Sequence, residues 1–181
     1  MAMEQLSQIT QNQYLANIFQ LFLNPTPYFL VLVFLFLVVL IYGMKSGRGR
    51  LILMLLGLYV AVVLTGLFPY REYLLKNIPA GEPYFIEVGL FLVAFFLTLI
   101  LLLHSPLRSM AVKSKGHIFQ VLTLSVLILG IFVSHLTVSL PAEYSDKLNH
   151  PVFAYFRSET AQFWWALLGI AFLALLRKRG E

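Results

Sequence analysis

The sequence lacks cysteine entirely, and only 12% of its 181 residues are charged. The missing thiols exclude a disulfide scaffold, a thiolate metal site and a cysteine nucleophile, but they leave the redox compartment open. Soluble domains contain about 25% charged and about 45–50% apolar residues, whereas this chain is 60% hydrophobic. A buried core does not absorb that excess, because a domain of this size exposes much of its surface. The composition therefore predicts a membrane protein.

Five apolar segments alternate with polar or Pro/Gly-rich stretches. A transmembrane helix needs about 20 apolar residues, with about 17–25 as the usual range. Four segments meet that requirement, and they are residues 28–44, 51–68, 84–103 and 118–140. The fifth, 161–176, has 16 residues. By length alone it also fits an interfacial or re-entrant helix.

The positive charges predict how the chain is threaded. With five spans, nine of the 13 lysines and arginines fall on one side of the membrane: Lys45, Arg48, Arg50, Arg108, Lys113, Lys115, Arg177, Lys178 and Arg179. Cytoplasmic loops carry the excess of Lys and Arg, so the N-terminus is predicted outside and the C-terminus inside. Without the fifth crossing, the last three of these cations would lie outside. We interpret the nine as anchors to lipid headgroups, with plain topology determinants as the alternative.

Residues 1–27 are predicted to form a separate amphipathic surface segment, and residues 28–181 one helical transmembrane domain. The first segment carries a single charge, Glu4, and an apolar stripe at helical spacing made by Leu15, Ile18, Phe19, Phe22 and Leu23. This stripe predicts a short helix on the outer membrane surface or one packed against the bundle. The fold class is therefore all-α, a bundle of five transmembrane helices preceded by an interfacial helix.

Glu87 and His135 are the candidate functional pair. Glu87 lies three residues inside the third span and His135 five residues before the end of the fourth, so antiparallel neighbours would hold them at similar depth near the outer face. Ionisable groups inside spans are costly and usually find partners. Such a pair can relay protons, or bind a cation with the hydroxyls of Ser134 and Thr137. Alternatively, Glu87 reaches the headgroups and His135 bonds a neighbouring helix.

Small residues recur every four positions in two spans. The second span has Gly57, Ala61 and Thr65, and the fourth has Gly130 and Ser134. Such faces let helices approach closely, and we expect packing within the chain rather than between subunits. Tyrosines and both tryptophans, Trp164 and Trp165, lie near predicted outer span ends, which is typical of an interfacial aromatic belt.

Motifs for catalysis and metal binding are missing from the sequence. It contains neither H-E-x-x-H nor G-x-S-x-G, and its four histidines are scattered. The basic loop at 45–50 lacks the spacing of a phosphate-binding P-loop. We therefore expect no catalytic residues, metal or cofactor. The net charge of +5 fits membrane anchoring better than nucleic-acid binding. The expected partners are the lipid bilayer and either further copies of the chain or another membrane protein.

Residues 28–160 have a distinct layout, with a first span, a tight Gly47-Arg48-Gly49 turn into a second span, an outer connection, and two further spans joined by a basic inner loop. A polar stretch dotted with aromatic residues, Tyr144 to Phe156, follows. This layout resembles that of the colicin V production protein (CvpA) family of small bacterial inner-membrane proteins. Leu51-Ile52-Leu53 stands where members often carry an acidic residue, and the fifth span is additional.

This resemblance implies a non-enzymatic role in secretion or envelope stress, in the bacterial plasma membrane. Our leading hypothesis is accordingly a non-catalytic multi-pass protein that acts by lateral association. The alternative is a subunit of a small oligomeric channel or transporter that uses Glu87 and His135. A membrane-embedded enzyme is the third option.

Overall fold

The computed structural model of the protein describes residues 27–77, 83–107, 118–139, 156 and 158–176. All regular elements in these ranges are helices: α1 (Pro27–Ser46), α2 (Arg48–Gly66), α3 (Arg71–Asn77), α4 (Pro83–His104), α5 (Ile118–Val138) and α6 (Glu159–Leu175). The predicted all-α class is confirmed. By its contacts the chain divides into two compact units, Met1–Leu37 and Val38–Glu181.

Four of these helices, α1, α2, α4 and α5, are long and apolar enough to cross a membrane. Their bounds agree with the four long predicted spans within three residues at each end. Helix α6 has 17 residues and belongs to the shorter apolar helices. The fifth crossing and the orientation of the chain therefore stay predictions. The predicted interfacial helix at the N-terminus lies outside the described residues.

Local sequence explains where two of the helices begin. Gly47 separates α1 from α2 with a φ of 82°, a left-handed conformation that side chains disfavour and glycine adopts readily. Ser158 caps α6, because its hydroxyl oxygen accepts a hydrogen bond from the backbone N–H of Ala161 at 3.0 Å. Helix α3 lies in the connection after α2, and the sequence analysis did not anticipate it.

Helix α2 is central to the unit formed by Val38–Glu181. It packs against α4 and α5, and α6 packs against α5 and, less extensively, against α2. Helices α4 and α5 are antiparallel, because Phe91 lies against His135 and Phe95 against Phe132. We call the end where α2 and α5 terminate and α4 begins the Arg71 end. The opposite end, where α2 and α5 begin, is the Arg48 end.

The core between α2, α4 and α5 is filled by large apolar side chains. Leu51, Leu55, Leu58 and Leu124 have no exposed surface, and Phe91 is 1% exposed. In hydrocarbon, helix association depends on close packing rather than on removal of apolar surface from water. The many van der Waals contacts of this core are therefore what holds the three helices together.

Candidate functional site

Glu87 forms an ion pair with Arg71 at the Arg71 end of the bundle. Nη2 of Arg71, at the start of α3, donates to Oε1 of Glu87 in the second turn of α4. The Arg71 side chain is 50% exposed and that of Glu87 only 23%. The carboxylate is thus partly buried, and its arginine partner is the more exposed of the two.

His135 contacts two other helices. Its ring lies against that of Phe91 of α4, with the centroids 4.3 Å apart and the planes inclined by 45°, and its Nδ1 lies 3.1 Å from the amide nitrogen of Gln162 in α6. An amide nitrogen only donates, so Nδ1 is the acceptor in this arrangement. Phe91, which contacts His135, lies one helical turn after Glu87 in α4. Glu87 and His135 therefore lie at the same end of the bundle, but each has a different direct partner. Glu87 also interacts electrostatically with His135.

Two hydroxyls of α5 bind the chain segment that leads into α6. Ser134 donates to the backbone carbonyl of Phe156 at 2.8 Å. The hydroxyl of Thr137 lies 3.3 Å from that carbonyl and 2.9 Å from the carbonyl of Val133 in its own helix. Both side chains are buried. The Ser134 hydroxyl therefore holds Phe156 against α5, and the Thr137 hydroxyl is shared between that carbonyl and its own helix.

The small residues of α2 lie inside the chain. A Cβ atom on Gly57 would be 3.5 Å from Leu102 of α4, an ordinary contact distance, and Ala61 is fully buried in the core. Thr65 is half-buried, and its hydroxyl donates to the carbonyl of Ala61 at 2.8 Å. This face is therefore used to pack α2 against its neighbours in the same chain.

Two glycines receive aromatic side chains where α6 docks. Gly130 of α5 lies against the Trp165 ring, so close that a Cβ there would be 2.2 Å from the nearest ring carbon. Gly169 of α6 lies against the hydroxyl of Tyr59, which donates to the carbonyl of Ala166 at 2.7 Å. Trp165 thus packs inside the bundle, whereas its neighbour Trp164 is 55% exposed.

Three of the nine predicted anchor residues are described. Lys45 is exposed, Arg48 donates from Nη1 to Oε1 of Gln120 in α5 at 2.9 Å, and Arg50 donates from Nη1 to the Ser46 hydroxyl at 3.3 Å. The other six lie outside the described residues: Arg108, Lys113, Lys115, Arg177, Lys178 and Arg179.

Sequence reasoning missed several residues that complete these contacts. The sequence analysis singles out none of Arg71, Phe91 and Gln162. Spacing gives some signal for Phe91, which lies four residues after Glu87 and therefore on the same helical face. Within the described ranges no group of three His, Asp or Glu side chains is placed to hold a metal ion.

Comparisons with protein-family models, with curated proteins and with solved structures found no match to this chain. The resemblance to the colicin V production protein family accordingly stays a prediction from the layout of the spans.

Proposed function

We propose that this chain is a non-catalytic integral membrane protein of the bacterial plasma membrane that acts by lateral association with other membrane proteins. Its resemblance to the colicin V production protein family implies a role in secretion or envelope stress. It has five spans, with the N-terminus outside and the C-terminus in the cytoplasm. Its partner is a further copy of the chain or a different membrane protein.

The filled interior of the bundle carries this proposal. The buried side chains of α2, α4 and α5 in the described residues are apolar except for the hydroxyl-bearing Thr98, Ser125, Ser134 and Thr137. The Ser125 hydroxyl donates to the Val121 carbonyl of its own helix at 2.9 Å. Hydroxyls of this kind do not titrate near neutral pH, and proton relays through membranes use chains of Asp, Glu and His. In the part of the chain that the structure describes, the buried core thus offers no chain of titratable groups for ion transfer, which favours a function carried by the outer surface.

The docking of α6 supports five spans. Helix α6 lies antiparallel to α5. Gln162, near the start of α6, contacts His135, whereas Trp165, further along α6, contacts Gly130, which comes earlier in α5 and lies nearer the Arg48 end. Its 17 residues extend about 25 Å, close to the hydrocarbon thickness of about 30 Å. A helix packed lengthwise on a candidate span is placed to cross the membrane with it.

A reporter fused after Glu181 tests this topology. Five spans with an external N-terminus place the fusion in the cytoplasm, so a phosphatase that needs export is expected to be inactive and a fluorescent protein that folds in the cytoplasm to be bright. A second pair of fusions after Asn77 is expected to give the opposite pattern. An active phosphatase after Glu181 would contradict the fifth crossing.

Proteoliposome flux assays separate the proposal from the channel alternative. Vesicles containing the protein are expected to dissipate a proton gradient or a potassium gradient no faster than empty vesicles, because the core is apolar. Glu87→Gln is expected to change neither rate, and Glu72→Gln, which removes an exposed carboxylate of α3, serves as the matched control. A flux above that of empty vesicles, lowered by Glu87→Gln alone, would favour an oligomeric channel.

Lateral association itself is tested by photo-crosslinking in living cells. A photoreactive amino acid is placed, one position at a time, at side chains exposed on three helices, such as Val93, Val126 and Ile170. Discrete protein adducts at one of these faces are expected, with lipid adducts at the others. Lipid adducts at every position would contradict the proposal, and native mass spectrometry of the intact particle distinguishes self-association from a second protein.

A further inference from the structure

Three cations lie within six residues at the Arg48 end, on a turn with a fixed shape. Lys45, Arg48 and Arg50 flank Gly47, whose N–H donates to the carbonyl of Gly43 at 2.8 Å. Gly43 is pressed against Leu51 of α2 and Val121 of α5, since a Cβ on it would lie 2.5 Å and 2.9 Å from their side-chain carbons. The last turn of α1 therefore contacts both α2 and α5 at Gly43.

The two arginine side chains are also held in place. Nη1 of Arg48 donates to Gln120 of α5, and Nη1 of Arg50 donates to Ser46 of α1, so the guanidinium groups lie where three helices meet. Both arginines are half-buried. A guanidinium has five N–H donors in a planar arrangement that matches phosphate oxygens. When hydrogen bonds fix its position before the phosphate binds, less conformational entropy is lost on binding.

The acidic residues of the described ranges are far from these cations along the bundle. They are Glu72, Glu87 and Glu159, and all three belong to the Arg71 end. The Arg48 end thus carries an excess of positive charge at the level where a span meets the headgroups. Basic pockets between helices at the cytoplasmic side of a membrane, where the proposed topology puts the Arg48 end, attract the headgroups of anionic lipids.

Large exposed apolar side chains lie in the same helical turns as the residues of this site. Met44 beside Lys45 is 56% exposed, and on either side of Gln120 the side chains of Phe119 and Leu122 are 73% and 41% exposed. A free phosphate ion gains nothing from contact with this apolar surface, whereas the acyl chains of a phospholipid pack against it. Charge and apolar surface together fit a molecule with a phosphate at one end and hydrocarbon at the other.

We propose that the junction of α1, α2 and α5 at the Arg48 end is a binding site for an anionic glycerophospholipid. Arg48 and Arg50 bind its phosphate oxygens, Lys45 adds a third positive charge, and the acyl chains lie along Phe119 and Leu122. This site goes beyond lateral association and does not depend on it, because it is complete in one copy of the chain.

Native mass spectrometry of the full-length protein, titrated with phosphatidylglycerol or with zwitterionic phosphatidylcholine, tests this site. The wild type is expected to retain phosphatidylglycerol preferentially, and the double variant Arg48→Gln/Arg50→Gln to bind it about tenfold more weakly. Lys76→Gln removes a cation at the Arg71 end and is expected to leave the affinity unchanged. Arg48→Lys/Arg50→Lys keeps the charge without the planar fork, so an intermediate affinity is expected.

Arg50→Gln alone, which leaves the bond between Arg48 and Gln120 intact, repeats the test if the double variant does not fold. Inorganic phosphate at millimolar concentration is the second ligand, and it is expected to displace little phosphatidylglycerol. Equal lipid affinity in the wild type and the arginine variants would overturn the proposal. Complete displacement by inorganic phosphate would overturn it as well, since the site would then recognise the free anion.

Discussion

Replacing Gly130 by alanine is expected to loosen α6 from α5 and to lower the stability of the protein by about 2 kcal/mol. The added Cβ would lie 2.2 Å and 2.5 Å from two carbons of the Trp165 ring, closer than real contacts allow. The ring has little freedom to move, because it stacks on Phe156 with centroids 5.4 Å apart and planes within 6°. Tryptophan fluorescence during thermal unfolding reports this directly, and a decrease in Tm of about 4–8 °C is expected.

Gly89→Ala is the matched control for this prediction. Gly89 is also inside a helix, but a Cβ there would meet nothing within 4 Å. Alanine is the better helix former, so this variant is expected to be neutral or slightly stabilising. The double variant Gly130→Ala/Trp165→Leu removes the ring that clashes and is expected to recover part of the loss. Equal effects at Gly89 and Gly130 would mean that α6 does not pack on α5 as described.

The four long spans could be predicted from the sequence because their signal is local. A run of about 20 apolar residues without charge has few alternatives to a helix in a bilayer, where every backbone N–H and C=O must be bonded within the segment. The bounds were accurate because Pro27, Gly47 and Pro83 stand at the ends of helices. Helix α3 was missed for the same reason: seven residues between two spans carry no comparable hydrophobic pattern.

The candidate site was harder to predict because its contacts are not local. The positions of Glu87 and His135 within their predicted spans put both residues at the same depth in the membrane. Depth alone does not determine which faces of α4 and α5 are in contact. The ring of Phe91 occupies the space beside His135, and Arg71 reaches Glu87 from a helix that the sequence did not reveal. Gly130 was recognised as a packing residue, but only the structure shows that its neighbour is a tryptophan from α6.

Phe91→Ala is expected to be the most destabilising single substitution in α4. Phe91 is 1% exposed, and its ring lies within 6.5 Å, centroid to centroid, of Phe95, Phe132 and His135. Its removal leaves a cavity at the contact between α4 and α5. Burial of Phe in soluble cores accounts for about 3–5 kcal/mol, and we expect a smaller loss here, about 2–3 kcal/mol, because the separated helix in a membrane is also surrounded by hydrocarbon.

Phe96→Ala, on the same helix, removes a ring that is 55% exposed and is expected to change stability by less than about 0.5 kcal/mol. Both variants delete the same atoms from neighbouring turns, so helix propensity and overall hydrophobicity change equally. Titration of the folded protein in mixed detergent with SDS measures the two free energies of unfolding. A large loss for Phe91→Ala with none for Phe96→Ala is the expected pattern, because in hydrocarbon only the side chain enclosed by protein leaves an empty space that lipid does not fill. Equal losses would place both rings in the same environment and contradict the packing of α4 on α5.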